Sequence, residues 1–229
     1  MYPHRIRLVG PWEYEVLSWV AGAESSKPRL PDRGFEDSAP ATQRERVTMP
    51  CRWRDCGLGD FTGTVRFTRR FGYPGRIDEY ERVWLTFAAV AGHAAVCLNG
   101  TDLGQSEGPC EFEATRLLRE RNVLHVDIEV DSCESGLCGE VALEVRRTAF
   151  LRNVRVTATD SLHISGEVAG TAAGPLELYV ICERRNIGYA AVEAGKPFHV
   201  EAEKIEGHIV RIDLVHGASI WWTEEKQID

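Results

Sequence analysis

No stretch of about 18 consecutive apolar residues occurs in the sequence, so nothing in it has the length of a membrane-spanning helix. Met1-Tyr2-Pro3-His4-Arg5-Ile6-Arg7 lacks the apolar centre of a signal peptide, and a cytoplasmic protein is expected, without a membrane partner. Positive charge is in the minority, 27 Lys and Arg against 35 Asp and Glu, and no run gathers it into a patch. Binding to a phosphate backbone draws on clustered Lys and Arg, so a nucleic-acid partner is not expected. A Gly-rich loop leading from a strand into a helix is missing, which removes the usual nucleotide cradle. Helical patterns are scarce. Only Glu113 to Asn122 reads as a helix, about three turns long with Leu117 and Leu118 as its apolar contacts. An α/β crossover fold is thereby excluded. The 229 residues also fall short of the roughly 250 that an eight-stranded (β/α) barrel needs by itself.

What is present is an ordinary globular composition, 43% apolar and 27% charged, which supplies a core. The net charge of −8 is spread out and serves solubility. Apolar residues alternate over short runs bounded by Gly, Pro, Asn or Asp, the period of half-buried β-strands. Trp12, Tyr14 and Val16 form one row, and Val65, Phe67 and Phe71 another. Val83, Leu85, Phe87 and Ala89 form a third, whose other face carries Trp84, Thr86 and Ala88, so this strand is expected to be buried on both sides. Ala94, Val96 and Leu98 run into Asn99-Gly100, the pair that a type I′ hairpin turn demands, and Thr101 to Leu103 returns as the partner strand. Leu124, Val126, Ile128 and Val130 follow, then Val141, Leu143 and Val145.

Further rows run through Val154 and Val156, Leu162 and Ile164, Leu176 to Cys182, Phe198 and Val200, and Ile212 and Leu214. Strands so closely spaced predict β-sandwiches. Ala21 to Arg46, with Pro28, Pro31 and Pro40 among many charges, reads as a long surface loop. The register changes around Arg146 to Leu151, which places a domain boundary between residues 146 and 147.

The cysteines are odd in number: Cys51, Cys56, Cys97, Cys110, Cys133, Cys138 and Cys182. Scattered in this way they are expected to be reduced thiols. Cys51 and Cys56 share a gap of four with Cys133 and Cys138, so a structural zinc is the alternative reading. No EF-hand spacing points to calcium, which remains open only through scattered Asp and carbonyl groups, and no cofactor is expected.

The landmarks between Val47 and Glu129 follow a specific order. Val47-Thr48-Met49-Pro50 and Trp53 precede Gly63-Thr64-Val65-Arg66-Phe67-Thr68-Arg69-Arg70-Phe71 and Val83-Trp84-Leu85-Thr86-Phe87. Ala95-Val96-Cys97-Leu98-Asn99-Gly100, Leu103-Gly104, Phe112-Glu113 and Asn122-Val123-Leu124-His125-Val126 come next. Leu8-Val9-Gly10-Pro11-Trp12-Glu13-Tyr14 opens the pattern and Ser135-Gly136-Leu137-Cys138-Gly139-Glu140-Val141 closes it. The whole resembles the amino-terminal sugar-binding-like domain of glycoside hydrolase family 2, the β-galactosidase and β-glucuronidase family. The resemblance covers about residues 5 to 145; residues 146 to 229 match the family's second domain by position and strand pattern only. It implies an all-β fold, a galactose-binding-domain-like jelly-roll sandwich over 1–146 followed by a smaller immunoglobulin-like sandwich over 147–229. It implies no catalytic residues here, because the family's two catalytic Glu lie on a downstream barrel that this sequence does not reach.

A non-catalytic carbohydrate-binding or accessory protein is therefore expected. A scaffold that no longer binds sugar, or a subunit or fragment serving a glycosidase barrel on another chain, are the alternatives. Retaining glycoside hydrolysis needs two carboxyl groups about 5 to 5.5 Å apart, one with its pKa raised. Glu134 and Glu140 beside Gly136, and Glu107, Glu111 and Glu113 near the second hairpin, are the only clusters to consider, and they read as solvated turn residues. Sugar recognition by a sandwich uses an aromatic face with polar groups nearby. Trp53 with Arg54 and Asp55, the tandem Trp221-Trp222, and the loop residues His93 and Glu107 are the candidates. A core role is the competing reading for at least one Trp in each group, and Trp12 and Trp84 are assigned to the core. Asn99 and Gly100 are read as structural, explained by turn chemistry alone.

Overall fold

Pairing partners, more than local propensity, decide how this chain is laid out. The computed structural model describes residues 4–19, 45–56, 62–130, 134–203 and 209–228. The expected loop from Ala21 to Arg46 lies outside the described residues except for its last two, and Cys133 lies outside them too.

The chain separates into two units. The first comprises Arg5–Arg76 and Val83–Glu144 and the second Met1–His4, Ile77–Arg82 and Val145–Asp229. The strands up to this division are β1 (His4–Arg7), β2 (Trp12–Trp19), β3 (Glu45–Val47), β4 (Cys51–Arg52), β5 (Gly63–Gly72) and β6 (Glu81–Phe87). They continue with β7 (His93–Leu98), β8 (Thr101–Ser106), β9 (Cys110–Glu113), β10 (Arg121–Val130), β11 (Gly136–Leu137) and β12 (Val141–Arg147). They form a four-stranded sheet in the order β1-β12-β6-β9, a six-stranded sheet β3-β2-β5-β10-β7-β8 and the short pair β11-β4.

In the six-stranded sheet β10 pairs antiparallel with β5 on one side and β7 on the other, placing Val126 opposite both Phe67 and Val96. Alternation then does the rest. Val65, Phe67, Ala94, Val96, Leu98, Leu124, Val126 and Ile128 are buried on one face, while Arg66, His125 and Asp127 stand half-buried on the other. Each large apolar side chain so placed stabilises the fold by about 1.5–3 kcal/mol before entropy is charged against it. Arg66 clamps Asp127 through two bonds of 2.7 Å on the outer face. Trp12 is fully buried, and its indole N–H donates to the Leu8 carbonyl at 2.6 Å. In β6, Val83, Leu85, Phe87 and Thr86 are all buried and Trp84 is half-buried, so both faces of this strand are largely covered.

The second unit carries β13 (Ala149–Ala158), β14 (Leu162–Gly170), β15 (Leu176–Cys182), β16 (Arg185–Val192), β17 (Pro197–Ala202), β18 (Ile209–His216) and β19 (Ser219–Gln227). Sheets β13-β14-β17 and β16-β15-β18-β19 enclose a core of Leu151, Leu162, Ile164, Val168, Leu178, Val180, Ile212 and Leu214. Ile77–Arg82 joins this unit although strands of the first flank it in sequence. Its ties are the Thr148 N–H to the Tyr80 carbonyl at 2.8 Å and a Tyr80–Trp221 ring contact at 6.2 Å. The fold is thus all-β and built of antiparallel sheets, as the alternation predicts.

The expected helix from Glu113 to Asn122 does not form. Strand β9 runs through Glu113, a single 3-10 turn covers Thr115–Leu117, and β10 begins at Arg121. The segment is tethered to β6 instead: the Ala114 N–H donates to the Val83 carbonyl at 2.8 Å and the Thr115 hydroxyl accepts from the Val83 N–H at 2.9 Å. These bonds hold the backbone where a continuing helix would have to leave.

Asn99 does more than turn. Asn99 and Gly100 have φ of 53° and 84°, the positive pair of a I′ turn, and Leu98 faces Thr101 across it. The Asn99 amide also donates to the Leu117 carbonyl at 2.8 Å and to the Asn122 side-chain oxygen at 2.9 Å, and accepts from the Val123 N–H at 2.8 Å. Asn122, only 1% exposed, in turn closes on Arg119 through its N–H and its carbonyl, both at 2.8 Å. Turn chemistry alone therefore does not account for Asn99. Asn99→Gly keeps the positive φ and loses the bridge, so it is expected to cost about 1–3 kcal/mol in urea unfolding. A change within about 0.5 kcal/mol would return Asn99 to a simple turn residue.

Candidate functional site

The residues singled out by sequence do not form one site. Trp53, Arg54 and Asp55 share the 3-10 turn Trp53–Cys56, held in place by the β4–β11 pairing and by the Trp53 N–H donating to the Ser135 carbonyl at 3.0 Å. Only glycine can stand at position 136, where a Cβ would lie 2.6 Å from the Cys51 carbonyl. The Trp53 ring points inward, 0% exposed, and stacks on Phe67 at 5.5 Å. It has no face to offer a sugar. Arg54 and Arg52 stay outside and grip Glu134, at 2.6 and 2.5 Å, while the Asp55 carboxylate accepts from the Arg52 N–H at 3.3 Å.

His93, at the start of β7, meets Glu107 at 3.1 Å through Nδ1 and Gln105 at 3.0 Å through Nε2. Hydrogen bonds that the protonated imidazole donates, first to Glu107 and then to Gln105, raise its pKa above the usual 6.5. His125 is displaced the other way, by burial first and then by the Arg66 guanidinium. Trp221 and Trp222 lie on β19 in the second unit. Trp221 is 6% exposed and stacks on His216 at 4.4 Å, so it too belongs to the core. Half-buried Trp222 packs on Phe150 at 5.5 Å, and its indole N–H reaches Glu224 at 3.2 Å. The stacking role considered for Trp53 and Trp221 is closed to them, because alternation and the turn at β4 direct both rings inward.

Paired carboxylates fare no better as an acid and nucleophile. Glu134 is held between two arginines, and Glu140 accepts from Arg5 and Arg7, each at 2.6 Å. Neither sits in the apolar pocket that makes a carboxyl a general acid. The cysteine expectation needs correction: Cys51 and Cys56 are joined by a disulfide, while Cys97, Cys110, Cys138 and Cys182 are free. The bonded pair cannot supply thiolates to zinc. Among the described residues no group of three or more His, Cys, Asp or Glu is placed to hold a metal ion. Likewise, no described helix is long and apolar enough to cross a membrane.

The sequence reading passed over an aromatic pair. Tyr179 on β15 and Tyr189 on β16 face each other in register, their rings edge to face with centroids 5.3 Å apart. Both phenols donate to one carboxylate, Glu177, at 3.2 and 2.9 Å. Tyr189 is 52% exposed. The available signal was the row Glu177, Tyr179, Ile181 on the face opposite Leu176, Leu178, Val180 and Cys182.

No known family profile matches the sequence. No curated protein matches it either. Solved structures do. The chain is similar in fold to a β-glucuronidase from Faecalibacterium prausnitzii, with a TM-score of 0.71 at 17% identity over 99% of this chain and 46% of that one. A β-glucuronidase from an uncultured Clostridium species gives 0.69 at 20% identity over 99% and 45%, and one from Ruminococcus gnavus 0.70 at 14% over 99% and 43%. The chain spans less than half the length of these enzymes. At such identities the likeness defines the class of fold, the β-sandwich portion found in β-glucuronidases.

Two outcomes follow. Trp53→Ala is expected to cost about 3–5 kcal/mol in urea denaturation, as for a buried ring, whereas a surface ligand contact would leave stability within about 0.5 kcal/mol. Glu107→Gln should lower the His93 pKa in an NMR titration. With a raised folded-state pKa, the stability this pair contributes is present below about pH 6.5 and is lost as pH rises through the folded value. An unmoved His93 titration would contradict the pairing.

Proposed function

We propose that this chain is a non-catalytic, carbohydrate-binding accessory module related to the auxiliary domains of family 2 glycosidases. The observation that carries the reading is coverage: 99% of the chain aligns with less than half of each β-glucuronidase, in a fold that is all β. In this reading residues 1–146 are a galactose-binding-like jelly roll and 147–229 an immunoglobulin-like sandwich. The ligand is a glycoside, and a glycosidase chain carrying the barrel is the natural protein partner. Location in the cytoplasm belongs to the same proposal.

Chemistry supports the non-catalytic half. Hydrolysis with retention requires two carboxyl groups held about 5 to 5.5 Å apart, one of them protonated in a dry pocket. The carboxylates that flank the Gly136 turn, Glu134 and Glu140, are each engaged by two arginines. A specific observation favours the scaffold reading as the second choice: the closure of Trp53 and Trp221 into the core removes the two indoles best suited to stacking on sugar. Candidate polar contacts at Arg54, Asp55, His93 and Glu107 and the half-buried Trp222 stay accessible in part.

The test joins two measurements on the purified chain. Aryl β-glucuronides and β-galactosides are expected to be left intact, and a panel of galactosides, mannosides and β-glucans to bind saturably near millimolar, about −4 kcal/mol. Turnover abolished by a carboxylate substitution would contradict the non-catalytic reading. Failure of every sugar to bind at high millimolar concentration would transfer the proposal to the scaffold.

A further inference from the structure

We infer that the outer face of the β15–β16 hairpin is a stacking platform for a neutral sugar, with the Tyr189 ring as its floor and Glu177 as its hydroxyl acceptor. The inference rests on the carbohydrate reading above and gives it a place that none of the residues chosen from the sequence occupies. Its basis is the lattice of side chains on that face. Strand register puts Tyr189 beside Tyr179, Tyr179 beside Asp213 and Asp213 beside Thr223, in one row across the sheet. The neighbouring row holds Ala191, Glu177, Val215 and Ile220.

Three features of this lattice select a sugar. Tyr189 stands on β16, the edge strand of its sheet, with half of its surface open to solvent. Its same-face neighbour two residues along is Ala191, itself exposed, so a small side chain leaves open the shelf next to the ring. An aromatic face beside an open shelf suits the C–H side of a pyranose. The polar partner is fixed in advance, because Glu177 accepts one phenol on each of its oxygens, which locks the ring orientations and leaves lone pairs for ligand hydroxyls. Pre-ordering of this kind lowers the entropic cost of binding. Asp213 is not available for the same task, since it is only 3% exposed and is engaged by Thr223 at 2.9 Å and Arg211 at 3.0 Å.

The geometry argues against two other occupants. A quaternary ammonium needs ring faces converging on a gap, but the two tyrosines touch edge to face at an interplanar angle of 61° and leave none. An anionic sugar meets Glu177, with which no Lys or Arg pairs among the described residues. Like charges held close cost binding energy. The platform is therefore matched to neutral glycans and against uronic acids. That sets it apart from the substrate class in the names of the similar β-glucuronidases.

An amide-detected NMR titration of the full chain tests the inference, using lactose and cellotriose as neutral probes, glucuronic acid as the anionic one and tetramethylammonium as the cation. Neutral probes are expected to shift the amides of β15 and β16 saturably, and glucuronic acid and the cation to leave them in place. Tyr189→Ala should weaken neutral binding by about tenfold or more, and Glu177→Gln should weaken it while relaxing the discrimination against glucuronic acid. A Tyr189→Ala amide spectrum that keeps the parent's dispersion outside β15 and β16, with an unchanged urea midpoint, separates loss of the platform from loss of the fold.

Neutral binding unchanged in Tyr189→Ala would overturn the platform and leave the carbohydrate reading standing. No binding of any sugar by the parent chain would overturn both. Shifts on this face produced by the cation, or by raising protein concentration alone, would assign it to a cationic ligand or to a second copy and overturn the inference.

Discussion

Strand β10, placed between β5 and β7, is the constraint on which the first unit depends. Each of its inward residues, Leu124, Val126 and Ile128, is wholly buried, and a shift of register by one would turn all three to solvent and bring His125 and Asp127 inside. The Asn99–Asn122 bridge secures the end of that arrangement by satisfying backbone groups at Leu117, Arg119 and Val123 that no strand partner reaches. Buried polar groups left without such partners are costly, so the bridge and the register hold each other in place.

Function follows from what this packing leaves over. Large aromatics are drawn into the cores: Trp12, Trp53 and Trp221 are closed off, and beside the Trp53 turn Arg52 and Arg54 hold Glu134 on the surface. Glu134 and Glu140, each held by two guanidinium groups, lack the apolar setting of a general acid. Binding asks for less. It needs an exposed ring with a fixed polar neighbour, and the Tyr179–Tyr189–Glu177 cluster is such an arrangement on an edge hairpin. Fold alone does not fix function: the likeness to β-glucuronidases supports the carbohydrate reading, and these side chains give it a place.

Much of the fold was legible because alternation is strict where one face is buried. Leu124 to Ile128 and Leu176 to Cys182 announce their strands by period alone, and Asn99-Gly100 announces its hairpin by the φ angles it permits. The false helix at Glu113 to Asn122 arose because its ties to Val83 are long-range and leave no local trace. Strand β16 went unread for a related reason. Its hairpin turns through Glu183 and Arg184, with φ of 47° and 66°, and carries no Gly or Asn to mark the place. Tyr189 was hidden with it. For Trp53 and Trp221 residue type pointed to a ligand, while side-chain direction, which depends on a 3-10 turn and on strand parity, decided for the core.

The central claim is that sugar meets exposed tyrosine and not indole. Intermolecular nuclear Overhauser effects between a neutral oligosaccharide and the aromatic protons of the chain test it most directly. The account predicts contacts from pyranose C–H protons to the Tyr189 ring and none to the indoles of Trp53 or Trp221. Contacts to either indole, with the Tyr189 ring silent, would contradict it.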